Sequence, residues 1–140
     1  MIKFTVLGQP VGKGRPRVVR RGNLPYPVAI TPDKTRRAEE SFLSQALPFK
    51  PASPISKPIA LTMEFYFQIP KSWSKKKAAD ALNGAVRPTS KPDIDNAIKL
   101  IDALNGVFWV DDSLIVEIAA AKHYSNVPRT VVAIREIDTD

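Results

Sequence analysis

Residues 91–117, KPDIDNAIKLIDALNGVFWVDDSLIVE, decide how this chain is read. Ile94, Ala97, Ile98, Ile101 and Leu104 recur at i, i+3, i+4, i+7 and i+10, the apolar stripe of an amphipathic helix. Gly106 stands where such a helix ends in a left-handed residue. Asp93 and Asp95 open the helix, and Asp111 and Asp112 follow it, just before a strand expected over Ser113–His123. Asp95, Lys99 and Asp102 lie at i, i+4 and i+7 on the side away from the stripe, so burial of the stripe sets the direction in which they project. The helix is long enough to fold back and bring its two acidic ends near each other. Phe108 and Trp109 are expected in the core, anchoring the helix–strand corner.

Outward from this block the pattern is mixed. Ile59–Ile69 places Leu61, Met63, Phe65 and Phe67 on one side of a strand that Pro70 stops. A short helix capped by Ser72 or Ser74 follows and ends at Asn83-Gly84. Upstream, Thr31 as N-cap and Pro32 at the first helical position predict a helix to about Leu47, with Ala38, Phe42, Leu43 and Ala46 on its apolar face. The four prolines between residues 48 and 58 make a surface connection. Ile2–Leu7 is a first strand and Arg129–Ile137 a last one, with Ser125–Pro128 joining the final two strands as an antiparallel hairpin. The order βαβααββ predicts an α+β fold, a small mixed β-sheet of about four strands with helices packed mainly on one face. A single domain over residues 1–140 is expected, with a basic loop or hairpin arm at about residues 9–30, rich in Gly and Pro.

Composition narrows the chemistry. The chain lacks cysteine and has one histidine, His123, which removes zinc–thiolate sites, disulfides and histidine-rich metal sites. His123 near a strand end reads as a surface or packing residue. No apolar run approaches the roughly 20 residues of a membrane span, and the expected setting is cytoplasmic. The net charge of +7 is unevenly spread. Residues 1–40 carry nine Lys or Arg against three acids, and residues 71–91 six against one, while residues 92–140 carry four against nine. Two basic segments beside an acidic knot suit a polyanion held near metal ions, although a solvated basic surface looks the same in sequence. Gly8…Gly12-Lys13 is no nucleotide loop, because three residues separate the glycines and Gly14 follows the lysine.

Each aspartate of the knot has an ordinary use. Asp93 is a candidate N-cap, Asp95 suits the first helical turn, Asp95–Lys99 is an i,i+4 pair, and Asp111-Asp112 suits a turn. Yet five of the fourteen acids lie between Asp93 and Asp112 in a basic protein. Carboxylates drawn together without a cation repel, and a divalent ion removes that cost. Oxygen donors without Cys or a histidine set select Mg²⁺ or Mn²⁺.

The block KPDIDNAIKLIDALNGVFWVDD resembles the signature of the RusA family of Holliday-junction resolvases: Asp-x-Asp-Asn, a lysine four residues after the second aspartate, then Phe-Trp and Asp-Asp. GQPVGKGRPRVV and TPDKTRRAEE are similar to the N-terminal region of phage- and prophage-type members. The resemblance implies a homodimeric, Mg²⁺-dependent endodeoxyribonuclease of α+β fold that resolves four-way DNA junctions in recombination and repair, with Mn²⁺ as a substitute metal. It implies Asp93, Asp95 and Asp112 as metal ligands, Asp111 as a further candidate, and Lys99 as the essential lysine. Asn96 belongs to the motif without an assigned role. Phosphate contacts are expected from Lys13, Arg15, Arg17, Arg20 and Arg21 of the arm. Arg36, Arg37, Lys75, Lys76 and Lys77 join them, with Arg87 or Lys91 standing in for a basic residue that some relatives carry at the position of Pro92. No membrane partner and no nucleotide cofactor are expected. The rival readings are a metal nuclease preferring another DNA structure and a non-catalytic DNA-binding module.

Overall fold

The computed structural model describes residues 1–14, 17–30 and 33–138. At its centre lies β4, Ile59–Gln68, whose alternate residues Ile59, Leu61, Met63, Phe65 and Phe67 are all 5% exposed or less. Successive residues of a strand face opposite ways, so this alternation turns one face of the sheet into core. β6 (Arg129–Glu136) pairs antiparallel with β4 on one side, and β5 (Ile115–Ser125) pairs parallel with it on the other. β1 (Ile2–Leu7) completes the order β1-β6-β4-β5 by pairing antiparallel with β6. In register, Phe4, Val132, Met63 and Ala120 form one row across all four strands.

Helical segments cover that row. Phe42 and Ala46 of α1 (Asp33–Ala46) enter the core, as do Ala97 of α3 (Ile94–Ile98) and Ile101 and Leu104 of the 3₁₀ turn Lys99–Leu104. Phe108 and Trp109 are fully buried, with Phe108 5.6 Å from Phe4 between ring centroids. α2 (Lys75–Leu82) starts as the sequence indicates: the Ser74 hydroxyl accepts from the Lys77 amide at 3.2 Å. Trp73 meets Tyr124 of β5 edge-on beside it. The opposite sheet face carries polar groups, with His123 stacked on Tyr66 and the Arg129 guanidinium 3.9 Å from the same ring. The α+β class and the mixed four-stranded sheet are those expected from sequence. No helix among the described residues is long and apolar enough to cross a membrane.

Three expectations are corrected. β5 and β6 are not a hairpin: β4 lies between them, parallel to one and antiparallel to the other. Thr130, Val132 and Ile134 of β6 are buried and need neighbours on both sides, which an interior position supplies. Strands lie about 4.8 Å apart, so a connection of three residues is long enough to step across one. The bonds from Arg129 Nη1 to Ser125 Oγ (3.0 Å) and to the Val127 carbonyl (2.8 Å) brace that short connection. The second correction concerns the central helix, which is α-helical only over Ile94–Ile98 and tightens to 3₁₀ over Lys99–Leu104. Ile98, Ile101 and Leu104 are spaced by three, which a 3₁₀ helix aligns on one side. The third is that β5 begins at Ile115, because Asp112–Leu114 forms a 3₁₀ turn.

The basic arm forms a two-stranded antiparallel ribbon, β2 (Arg17–Val19) with β3 (Val28–Ile30). The expected cap at Thr31 and Pro32 lies outside the described residues. Gly106 has φ +79°, the left-handed turn expected after the helix. Replacing Phe108 by Ala is expected to cost about 3–5 kcal/mol, read from urea denaturation, because the cavity opens against Phe4 and Trp109.

Candidate active site

The start of α3 is held from two directions. On one side, Arg87 Nε donates to the Lys122 carbonyl (2.8 Å), and Lys122 Nζ donates to the carbonyls of Ser90 (2.8 Å) and Pro92 (2.9 Å). On the other, the root of the basic arm lies against the helix, with the Lys13 amide donating to the Asn96 carbonyl at 3.1 Å. Gly12 makes this approach possible, since a Cβ there would stand 2.7 Å from Pro92 Cβ and 3.3 Å from Asn96 Cβ. The Gly14 amide donates to Thr35 Oγ1 at 2.8 Å, which ties the arm to α1 as well.

Asp93 occupies the N-cap position of α3 with extended backbone (φ −62°, ψ 150°), yet its side chain makes no capping hydrogen bond. Asp95 is exposed in the first turn. Both line one open cleft with Arg87, Pro88, Ala120, Ala121 and Lys122. Among the described residues neither carboxylate takes a side-chain hydrogen bond or an ion pair. Lys99 does not pair with Asp95; its ammonium is 3.4 Å from Asn96 Oδ1. Of the ordinary uses open to these aspartates in sequence, the side-chain cap and the i,i+4 pair are unused, while Asp95 does stand in the first turn, where the helix dipole favours an acid.

The other acids serve the fold. Asp102 Oδ2 accepts from Lys13 Nζ at 3.1 Å, and Glu39 Oε1 is 3.5 Å from the same ammonium. The bond to Asp102 raises the Lys13 pKa, so this tie is lost only as pH climbs through that raised value. Asp111 Oδ2 accepts from the Ser113 amide at 3.0 Å. The Ser113 hydroxyl first, and then this amide, hold its carboxyl below the usual carboxylate range, and the benefit disappears as pH falls through the lowered value. Asp112 Oδ1 accepts from the indole Nε1 of fully buried Trp109 at 2.7 Å. Asp112 is not among the residues lining the Asp93–Asp95 cleft, and among the described residues no three His, Cys, Asp or Glu side chains gather into a group able to hold a metal.

The basic candidates divide similarly. Arg20, Arg21, Lys75, Lys76 and Lys91 are exposed. Lys77 stands 4.1 Å over the Trp73 ring, so that one face of the indole is occupied. Arg36 pairs with Asp33 at 3.1 Å where both are exposed, a contact worth less than about 1 kcal/mol and easily exchanged for a phosphate. Arg37 and Lys34 line a groove beside β1. Arg87 and Lys13 are committed to internal bonds, while Arg15 and the Arg17 side chain fall outside the described part. A second groove, lined by Lys13, Lys34, Lys91 and the glycines of the arm root, runs next to the start of α3.

The donor set fits a hard divalent ion. Mg²⁺ is commonly held by one or two carboxylates, with water and substrate phosphate completing its shell. Asp93 and Asp95, exposed and unengaged in one cleft, supply such a pair. Lys122 escaped the sequence reading. Its only signal was a lone lysine in the apolar run IVEIAAAKHY, on the parity that faces the core. Trp109→Phe keeps an aromatic ring but a smaller one, and removes the donor to Asp112. The expected result is a folded protein less stable by about 2–4 kcal/mol in urea denaturation, because a cavity opens in the core and a bond to a charged group is lost.

Comparison with known proteins identifies the family. A family model described as endodeoxyribonuclease RusA matches residues 8–135. The protein described as "Uncharacterized protein YqaN" from Bacillus subtilis (strain 168) is 40% identical over 140 residues, covering 97% of this chain and 96% of that one. With a match running from the arm through the acidic cleft to β6, the chain belongs to the RusA endodeoxyribonuclease family.

Proposed function

We propose that this protein is a Mg²⁺-dependent endodeoxyribonuclease that resolves four-way DNA junctions by paired phosphodiester hydrolysis, in recombination and repair. The observation that carries this reading is the state of Asp93 and Asp95. They share one open cleft in a protein of net charge +7, and no described side chain of the fold engages either carboxylate. Two carboxylates with no described side-chain partner, lining one cleft, are available to a divalent cation, which would offset any repulsion between them. Family membership supplies the substrate class, DNA, and the reaction class, endonucleolytic cleavage.

Asp93 and Asp95 are the residues that would hold Mg²⁺ or Mn²⁺, with Asp112 as third ligand by resemblance; its Oδ1 is engaged by Trp109, which leaves Oδ2 as the donor. When bound, such an ion polarises the phosphodiester and lowers the pKa of water beside it. Lys99, one turn beyond Asp95 and held among the described residues by a long contact to Asn96, would neutralise charge that develops on the scissile phosphate or orient the attacking water. Lys91, Lys34 and the ribbon arginines Arg20 and Arg21 lead the sugar–phosphate backbone to the cleft. These contacts position DNA without reading its sequence. Two copies related by a two-fold axis match the two equivalent strands of a four-way junction, and paired cutting is assigned to such a homodimer.

Asp95→Asn tests the reading. Junction affinity measured without divalent metal is expected to stay within about threefold of wild type, under 1 kcal/mol. Mg²⁺-dependent cleavage is expected to fall by about 100-fold or more, the scale of losing one electrostatic contact in an active site. Full activity in this variant would remove the acid pair from the mechanism.

A further inference from the structure

The loop that delivers Asp93 is held by one side chain to which the chemistry above gives no role. Lys122 lies in register with Phe65 on the core-facing side of β5, and its ammonium stands 5.4 Å from the Phe67 ring centroid. From there Nζ donates to the carbonyls of Ser90 and Pro92, at 2.8 and 2.9 Å. The backbone of the same residue receives Arg87 Nε at 2.8 Å. Residue 122 therefore grips the loop at 87, at 90 and at 92, and Asp93 follows directly. A lysine ammonium has three donors, and two of these are spent on loop carbonyls through charge-assisted bonds, the stronger class. Among the described residues Lys99, by contrast, makes only its long contact to Asn96. A phosphate contact for Lys122 would have to break bonds that Lys99 does not have to break.

We infer that Lys122 is a positioning residue of the nuclease site. By tying the carbonyls of Ser90 and Pro92 to β5, it sets where the Asp93 carboxylate stands relative to Asp95. The inference rests on the reading of those two aspartates as the acid pair of the site. Pro92 cannot anchor the loop through its own amide, having no N–H, so its carbonyl is the group available to grip.

The test compares wild type with Lys122→Met and Lys122→Arg in the full chain. Methionine keeps an apolar stem near Phe67 and removes every donor; arginine returns the charge and the donors. In K122M, amide hydrogen exchange over residues 89–97, measured without metal or DNA, is expected to quicken about tenfold or more. Cleavage of a four-way junction in Mg²⁺ is expected to slow about tenfold or more, as misplaced reacting groups do. Junction affinity without divalent metal stays within about threefold. K122R is expected to recover most of the rate. Wild-type exchange and cleavage in K122M would overturn the inference. So would a K122R no better than K122M, or a loss of affinity with a salt slope shallower by about 1, the mark of a direct phosphate contact. Should K122M not fold, Lys122→Gln, which keeps a donor, carries the same comparison. If wild type itself cuts no junction, the functional reading fails, and the exchange measurement still judges the grip of Lys122 on the loop.

Discussion

The corner between α3 and β5 constrains everything around it. Phe108 and Trp109 are adjacent, aromatic and wholly buried, so the chain must turn sharply enough to bury both. Gly106 supplies the turn at φ +79°, and backbone bonds lock it, from Ile55 N to the Phe108 carbonyl (2.9 Å) and from Val110 N to the Ile55 carbonyl (3.0 Å). Once that corner is fixed, the apolar row 98–101–104 lies on the sheet, and the N-terminal end of α3 faces Ala120–Lys122 of β5. The position of Asp93 and Asp95 thus depends in part on core packing at Phe108 and Trp109, 13 to 16 residues further along the chain.

The corner also explains how the acidic block divides its labour. Asp102 holds the arm through Lys13, Asp111 caps a 3₁₀ turn, and Asp112 satisfies an indole that burial would otherwise leave unpaired. Those three carboxylates repay the fold for their desolvation or repulsion. Among the described residues Asp93 and Asp95 make no such side-chain bond, while Lys122, Arg87 and Gly12 hold the segment bearing them.

Much of this was legible in the residues. The strand at Ile59–Ile69, the cap at Ser74, the turn at Gly106 and the burial of Phe108 and Trp109 all follow from local pattern, and the structure agrees. Strand order was not legible, because a short connection between two β-rich segments looks like a hairpin whether or not a third strand enters between them. The shift from α to 3₁₀ was hidden because 98, 101 and 104 satisfy both periods. The acid motif announced itself by spacing. Lys122 and Gly12 did not, since one is defined by carbonyls 30 residues away and the other by a contact with Pro92. The bond from the buried Trp109 indole to Asp112 Oδ1 was likewise not legible, being fixed by the turn that buries the ring.

The most direct measurement of the central claim is the cleavage rate of wild-type protein on four-way, three-way and linear duplex DNA of matched arm sequence, each with Mg²⁺ and with a chelator. A junction nuclease built on Asp93 and Asp95 cuts the four-way substrate preferentially, nicks two opposed strands, and stops when the metal is removed. Equal turnover on all three substrates, or cutting that persists in chelator, would contradict it.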